Sequence, residues 1–317
     1  MSDWMNEGDI AFPNLGIYLK DVPRSFSIFG FEIMLYGVII GIGVVLAFLL
    51  ISKVAERDGQ NPDDFYEVGI YTLIIGILGA RIYYVIFAWE YYKDDLLSIF
   101  NIRQGGLAIY GGVIAGTATV IIWSKLKKKN MFAMLDTAFT GVLVGQIMGR
   151  WGNFTNREVF GGYTDSLFAM RLPIEAVRTR DITTELYDHI PAGANYIQVH
   201  PTFLYESFCN LILLVIILLY GKKKAFKGEC ALMYLGGYGI IRFIIEGIRV
   251  DQLLIPGTHI PVSQMLGMCL FIGAVAADLV VRVRMQNKKA AAGAEKAEDK
   301  TEEKESVEAE KTEEKEG

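Results

Sequence analysis

GRWGNFTNREVFGG, residues Gly149 to Gly162, follows directly on a long apolar segment and is crowded with groups that a bilayer tolerates only for a reason. Two guanidiniums, two amides and a carboxylate are set among glycines, which let backbone approach a ligand closely. An ionisable cluster at the end of a membrane span reads as a functional site. The bland alternative is one snorkelling Arg150 at a helix end followed by an ordinary loop.

Working outward, the chain of 317 residues is 52% hydrophobic and only 21% charged, with much of that charge in its last thirty positions. That distribution describes a polytopic membrane protein with a polar tail. From Lys288 onward there are eleven acidic and seven basic residues, so the net charge of -5 comes mostly from the tail. No basic surface argues for nucleic acid. Cys209, Cys230 and Cys269 lie apart in apolar stretches and read as small buried hydrophobes rather than zinc ligands or disulfides. The acidic Asp3, Glu7 and Asp9, with no basic region before an apolar run, argue against a cleavable signal peptide.

A bilayer core of roughly 30 Å takes about 20 apolar residues in helical form. Stretches of that length fall at 31–51, 66–88, 106–124, 132–149, 201–220, 229–248 and 260–283. The expected fold is therefore an all-α integral membrane protein with seven transmembrane helices. Basic residues follow alternate spans: Lys53 and Arg57, Lys125 to Lys129, Lys222 to Lys227, and Arg282 to Lys289. By the positive-inside rule these loops are cytoplasmic, which puts the N-terminus outside, the C-terminus inside and the Gly149–Gly162 motif at the outer leaflet.

Three parts follow. Residues 1–30, with Pro13, Pro23 and scattered aromatics, suit an extracytoplasmic segment on the membrane surface. Residues 31–283 form the membrane domain, and its insertion at 155–197 is too polar to span and too long for a turn, so it is expected as a small extracytoplasmic head. Residues 284–317, rich in Lys and Glu and without aromatics, are expected to be a disordered cytoplasmic tail that carries no chemistry.

Polar residues inside the spans sharpen the site. Tyr238, Arg242, Glu246 and Arg249 recur at steps of four, four and three, so they share one helical face. Such a stripe faces protein or a wet cavity. Two arginines for one glutamate leave it net positive, which favours an anionic ligand. HPTFLYE opens the fifth span and places His200 at an interface with Glu206 a turn deeper. Arg81 lies deep in the second span, Tyr36 early in the first, and the glycines of GGLAIYGG at 105–112 suit either tight helix packing or a functional loop.

Taken together, these stretches resemble the prolipoprotein diacylglyceryl transferase family. GRWGNFTNREVFG is similar to its signature, and GARIYYVIF at 79–87, GGLAIYGG at 105–112, HPTFLYE at 200–206 and YGIIRFIIEGIR at 238–249 follow in the family's order. The resemblance covers about 31–283. It implies a multi-pass enzyme of the bacterial cytoplasmic membrane that moves the diacylglyceryl group of phosphatidylglycerol onto the lipobox cysteine of a prolipoprotein signal peptide, releasing glycerol phosphate. It also implies that Arg150, Asn153, Glu158 and Gly161 belong to the lipid site, together with Tyr36, Glu206, Tyr238, Arg242 and Glu246. Many members carry a histidine, a candidate base, where this chain has Tyr110. Tyrosine, with an ordinary pKa of about 10, is a poor base near neutrality.

The chemistry needs a thiolate and a stabilised phosphate leaving group. Guanidinium suits the second, because it stays charged and presents a planar fork to phosphate oxygens. Arg150 and Arg242 are the expected clamp, with Arg81 and His200 as further contacts, and no metal or cofactor is called for. Glu206, Glu246, Tyr110 and His200 are candidate bases, and a positive cavity that acidifies the thiol would need none. A lipid transporter is the competing class, although no internal repeat supports paired halves. A membrane scaffold would leave the buried arginines unexplained.

Overall fold

The computed structural model describes residues 4–102 and 105–316, with side chains described as far as residue 291. Two short strands, β1 (Ile10–Phe12) and β2 (Ile17–Leu19), are followed by a hairpin of β3 (Ser25–Ile28) and β4 (Phe31–Met34). Four long helices come next: α1 (Leu35–Arg57), α2 (Pro62–Phe87), α3 (Ile109–Leu126) and α4 (Met131–Asn156). Strand β5 (Met170–Pro173), the single turn α5 (Thr184–Asp188) and strand β6 (Tyr196–Val199) form the insertion, before α6 (Thr202–Tyr220), α7 (Glu229–Glu246) and α8 (Val262–Glu316).

Six of these helices, α1 to α4, α6 and the first thirty residues of α8, are long and apolar enough to cross a membrane. The chain is a mostly helical, multi-pass membrane protein. Helix α7, expected as a span, is not in that set: its eighteen residues include Glu229, Arg242 and Glu246. Helix α1 packs on α4, α2 on α3, α7 on α8, and α6 lies against both α4 and α7. Glycines set the closest approach, as at Gly79 of α2, where a Cβ would stand 2.9 Å from the carbonyl oxygen of Gly111 on α3. Gly111 and Gly112 of the 105–112 stretch, which face Gly79 and Gly76, therefore serve helix packing.

Beside the membrane helices, β2, β1, β5 and β6 form one antiparallel sheet, in which Ala11 pairs with Arg171. Strands β1 and β2, which precede the first long helix, complete the sheet of the insertion. Ile10, Phe12, Phe160, Leu172, Leu186, Ile197 and Val199 make its apolar core. The tail is helical as far as Glu316, continuous with α8. Its Ala, Glu and Lys have high helix propensity. Of the three cysteines only Cys230 is buried, while Cys269 is exposed on α8.

At the end of the bundle opposite the motif, a second polar knot ties helix ends together. Asp136 of α4 accepts from the N–H groups of Gly228 and Ala231 at 2.9 Å, capping the start of α7. Lys224 reaches Asp58 at 2.6 Å and Asp136 at 3.3 Å. Burial opposes charge on Asp58, but the bonds from Arg57 and Lys224 outweigh it and hold this carboxyl below its ordinary range. A lowered folded-state pKa contributes stability above the unfolded value of about 3.9, and that stability is lost as pH falls through the folded value. In detergent, the melting temperature of the wild type should fall more steeply below about pH 4 than that of Asp58→Asn. Superimposable acid limbs would show that the pair contributes nothing.

Candidate functional site

Helix α4 does not stop at Gly149 but continues through Asn156, so the first half of the motif is helix rather than loop. Trp151 and Phe154, three residues apart, keep it going by packing edge-on and tilted against Phe203 of α6 at 5.4 and 4.6 Å. The helix ends at Arg157 in a left-handed conformation, φ 55°, a position that more often holds glycine. Arg157 is buried, and its guanidinium donates to the carbonyls of Thr155, Gly8 and Val22 at 3.0, 2.5 and 2.6 Å. That grip ties the N-terminal segment to the motif and sets where Glu158 stands.

Arg150 and Asn153, one turn apart on α4, then share a chain of polar contacts. The Arg150 Nη1 donates to Asn153 Oδ1 at 3.0 Å, and Asn153 Nδ2 donates to Glu158 Oε1 at 3.1 Å. Arg178 from the insertion closes it, donating to Glu158 Oε2 at 2.6 Å. On its other side the Arg150 Nε lies 3.2 Å from Glu206 Oε2, which is also 3.6 Å from Arg242 Nη1. Arg242 Nη2 sits 2.6 Å from Glu246 Oε2, and Arg249 Nη1 is 3.5 Å from the same carboxylate. Helices α4, α6 and α7 thus converge on one line of charge.

Glu206 is 1% exposed. Its ion pairs are close in distance, yet neither carboxylate oxygen has a hydrogen-bond partner among the described residues, and neither does Arg242 Nη1. The cluster is held by charge while keeping hydrogen-bonding capacity unspent. Counted across the elements, Arg150, Arg178, Arg242 and Arg249 face Glu158, Glu206, Glu246 and Asp251, so the expectation of a net positive site does not hold. The excess on the α7 stripe is cancelled by Glu206 from α6 and by Asp251. Arg249 donates to Asp251 through Nε and Nη2 at 2.9 and 2.8 Å. Burial works against the Asp251 charge, but this bidentate bond holds its carboxyl below the usual range.

Two aromatic residues frame the cluster. Tyr36 of α1 presses its ring on Gly152, where a Cβ would be only 2.7 Å from the ring. Tyr238, one turn before Arg242, stacks parallel to Tyr234 at 5.8 Å.

Four expected site residues have other partners in the structure. Arg81 is not free to hold an anion: its five N–H donors go to the carbonyls of Ile99, Gly105, Gly106, Ser98 and Asn101 at 2.8 to 3.3 Å. Gly161 is a packing point, because a Cβ would stand 2.7 Å from the Ile248 carbonyl oxygen, and its N–H donates to the His200 carbonyl. His200 exchanges backbone bonds with Gly161 and Gly162, its ring meets Tyr205 at 3.3 Å, and burial makes its imidazole harder to protonate. Tyr110 meets Ser263 of α8 at 3.5 Å, on a helix packed chiefly against α2. Sequence reading also missed Arg178, whose partner Glu158 is twenty positions away, and Asp251, which pairs with Arg249 just past the end of α7. Only the charge balance required of buried groups could have signalled them.

Comparison with known proteins gives a consistent answer. Residues 23–280 match the family described as Prolipoprotein diacylglyceryl transferase. A phosphatidylglycerol–prolipoprotein diacylglyceryl transferase of Finegoldia magna is 37% identical over 252 residues, 79% of this chain and 92% of the relative. That of Clostridioides difficile is 35% identical over 265 residues, covering 83% and 96%. That of Halalkalibacterium halodurans is 39% identical over 258 residues, covering 81% and 86%.

Arg81→Leu should leave five carbonyls of the 98–106 loop without a donor and lower stability by about 3 kcal/mol or more, read as a lower melting temperature and faster cleavage of that loop. An unchanged melt and an intact loop would contradict the clamp.

Proposed function

Because the chain belongs to the prolipoprotein diacylglyceryl transferase family, we propose that the Arg150–Glu206–Arg242–Glu246 cluster is its active site. The enzyme transfers the diacylglyceryl group of phosphatidylglycerol to a prolipoprotein. The acceptor is the thiol of a lipobox cysteine in the signal peptide, and the other product is glycerol phosphate. One observation supports this placement above the others. Arg150 and Arg242, from different helices, meet at a buried carboxylate with unspent hydrogen-bonding capacity.

In this reading the lipid phosphate takes the place of Glu206 between the two guanidiniums, each of which offers a planar fork to its oxygens. Glu206 is thereby released from both guanidiniums and stands beside the reacting groups as the base. The thiol sulfur attacks, in line, the glycerol carbon that carries the phosphate. A carbon–sulfur bond forms, the carbon–oxygen bond to phosphate breaks, and the electron pair leaves with glycerol phosphate. The thiol proton passes to Glu206. Arg150 and Arg242 stabilise the charge that gathers on the departing phosphate, in a site poor in water where such contacts count for more. Glu246 holds Arg242 in place, and Asn153 and Glu158 orient Arg150.

The topology follows the same reading. Helix α7 is also a span, the sixth of seven in chain order, its charged stripe turned to the protein interior, and the basic loops are cytoplasmic. The sheet of β1, β2, β5 and β6 then forms an extracytoplasmic head over the site, in the bacterial cytoplasmic membrane.

Purified protein in detergent, given phosphatidylglycerol and a lipobox peptide, should yield lipidated peptide by mass spectrometry and an equal amount of glycerol phosphate. Arg150→Ala, Arg242→Ala and Glu206→Gln should each lower turnover by about 10²-fold or more in folded protein. Near-normal turnover in both arginine variants would remove the clamp, and in Glu206→Gln it would remove the base. Tyr110→Phe should work at close to the wild-type rate, and a collapse of turnover in that variant would return Tyr110 to the chemistry.

A further inference from the structure

One turn beneath the charged cluster lies a second polar layer that the chemistry above does not use. Helices α4 and α7 end at the site and α6 begins there, so deeper means earlier in α4 and α7 but later in α6. Four residues deeper, a drop of about 6 Å along a helix, each of the three carries a polar side chain. Gln146 stands below Arg150, Asn210 below Glu206, and Tyr238 below Arg242.

Asn210 stands out among them. It is 0% exposed, on the face of α6 that also buries Glu206, Ser207 and Leu214. Neither its Nδ2 nor its Oδ1 has a hydrogen-bond partner among the described residues. Gln146 donates to the Tyr234 hydroxyl at 3.0 Å, but its Oε1 is buried and likewise unpartnered. A buried primary amide with both ends unsatisfied is costly anywhere, and water is scarce at membrane depth. Leucine would fill the position at less cost. The amide is therefore explained by something that arrives.

We propose that Asn210 is a substrate-positioning residue whose Nδ2 donates to an ester carbonyl of the diacylglyceryl group. The inference rests on the transferase reading above. With the phosphate held by Arg150 and Arg242, the lipid's two ester carbonyls lie a few bonds further along the glycerol, on the membrane side of the phosphate. They accept hydrogen bonds and cannot donate them, so an amide N–H suits them where a carboxylate would not. Holding an ester also fixes the glycerol, and with it the carbon that the thiol must reach. A dialkyl ether lipid has the same charge and nearly the same shape but no carbonyl.

The test compares phosphatidylglycerol with its 1,2-di-O-alkyl ether analogue in the full-length enzyme, using the same lipobox peptide and mass-spectrometric readout. The wild type should favour the diester in kcat/KM by roughly tenfold, the scale of one buried neutral hydrogen bond. Asn210→Leu should reduce that ratio to about one, mainly by slowing the diester. Equal turnover of both lipids by the wild type would overturn the proposal without any variant. So would an unchanged ratio in Asn210→Leu, whether both rates fall together, as for a structural amide, or neither moves. If the wild type processes neither lipid, the transferase reading itself fails, and the ester contact fails with it.

Discussion

The structure depends on one buried carboxylate. Glu206 sits between the guanidiniums of Arg150 and Arg242 inside a helix bundle, where a lone charge of either sign would be prohibitive. Each group is tolerable only because the others are present. That requirement fixes which faces of α4, α6 and α7 turn toward one another, and the apolar packing of Leu143, Leu213, Leu214 and Tyr234 below them conforms to it. Balanced charge also means that the site has no standing appetite for anions in general. In the mechanism proposed above the lipid phosphate displaces that carboxylate, which couples binding to the chemistry that follows.

Much of this was legible in the sequence because it is local. Apolar stretches of bilayer length mark their own helices, and the four-four-three spacing from Tyr238 to Arg249 marks its own face. Pairing between remote segments was not legible. Ala11 and Arg171 are neighbours in a sheet although 160 positions separate them, and nothing in IAF or MRLP names its partner. The net charge of the site was misread for the same reason: the α7 stripe displays two arginines and one glutamate, and the balancing acids come from α6 and from beyond the end of α7.

Arg81 carries a related lesson. A guanidinium deep in a span looks like an anion site, because sequence displays charged side chains and hides carbonyl groups, which every residue has. Five of them converge on Arg81, and an arginine with all its donors used has no reach left for substrate. In membrane proteins the question for each buried arginine is how many donors are already engaged. Arg242, with Nη1 unengaged, answers it differently.

The grip of Arg157 on Gly8 and Val22, with β1 laid beside β5, also sets an order of events during synthesis. In chain order, β1 meets β5 only after four long helices and a further loop. Until β5 emerges, Ile10 and Phe12 have no core to enter. Domains tend to form as their chain appears, but this sheet waits for about half of the protein. The sheet therefore cannot close before the helices that carry the arginine motif have been laid down.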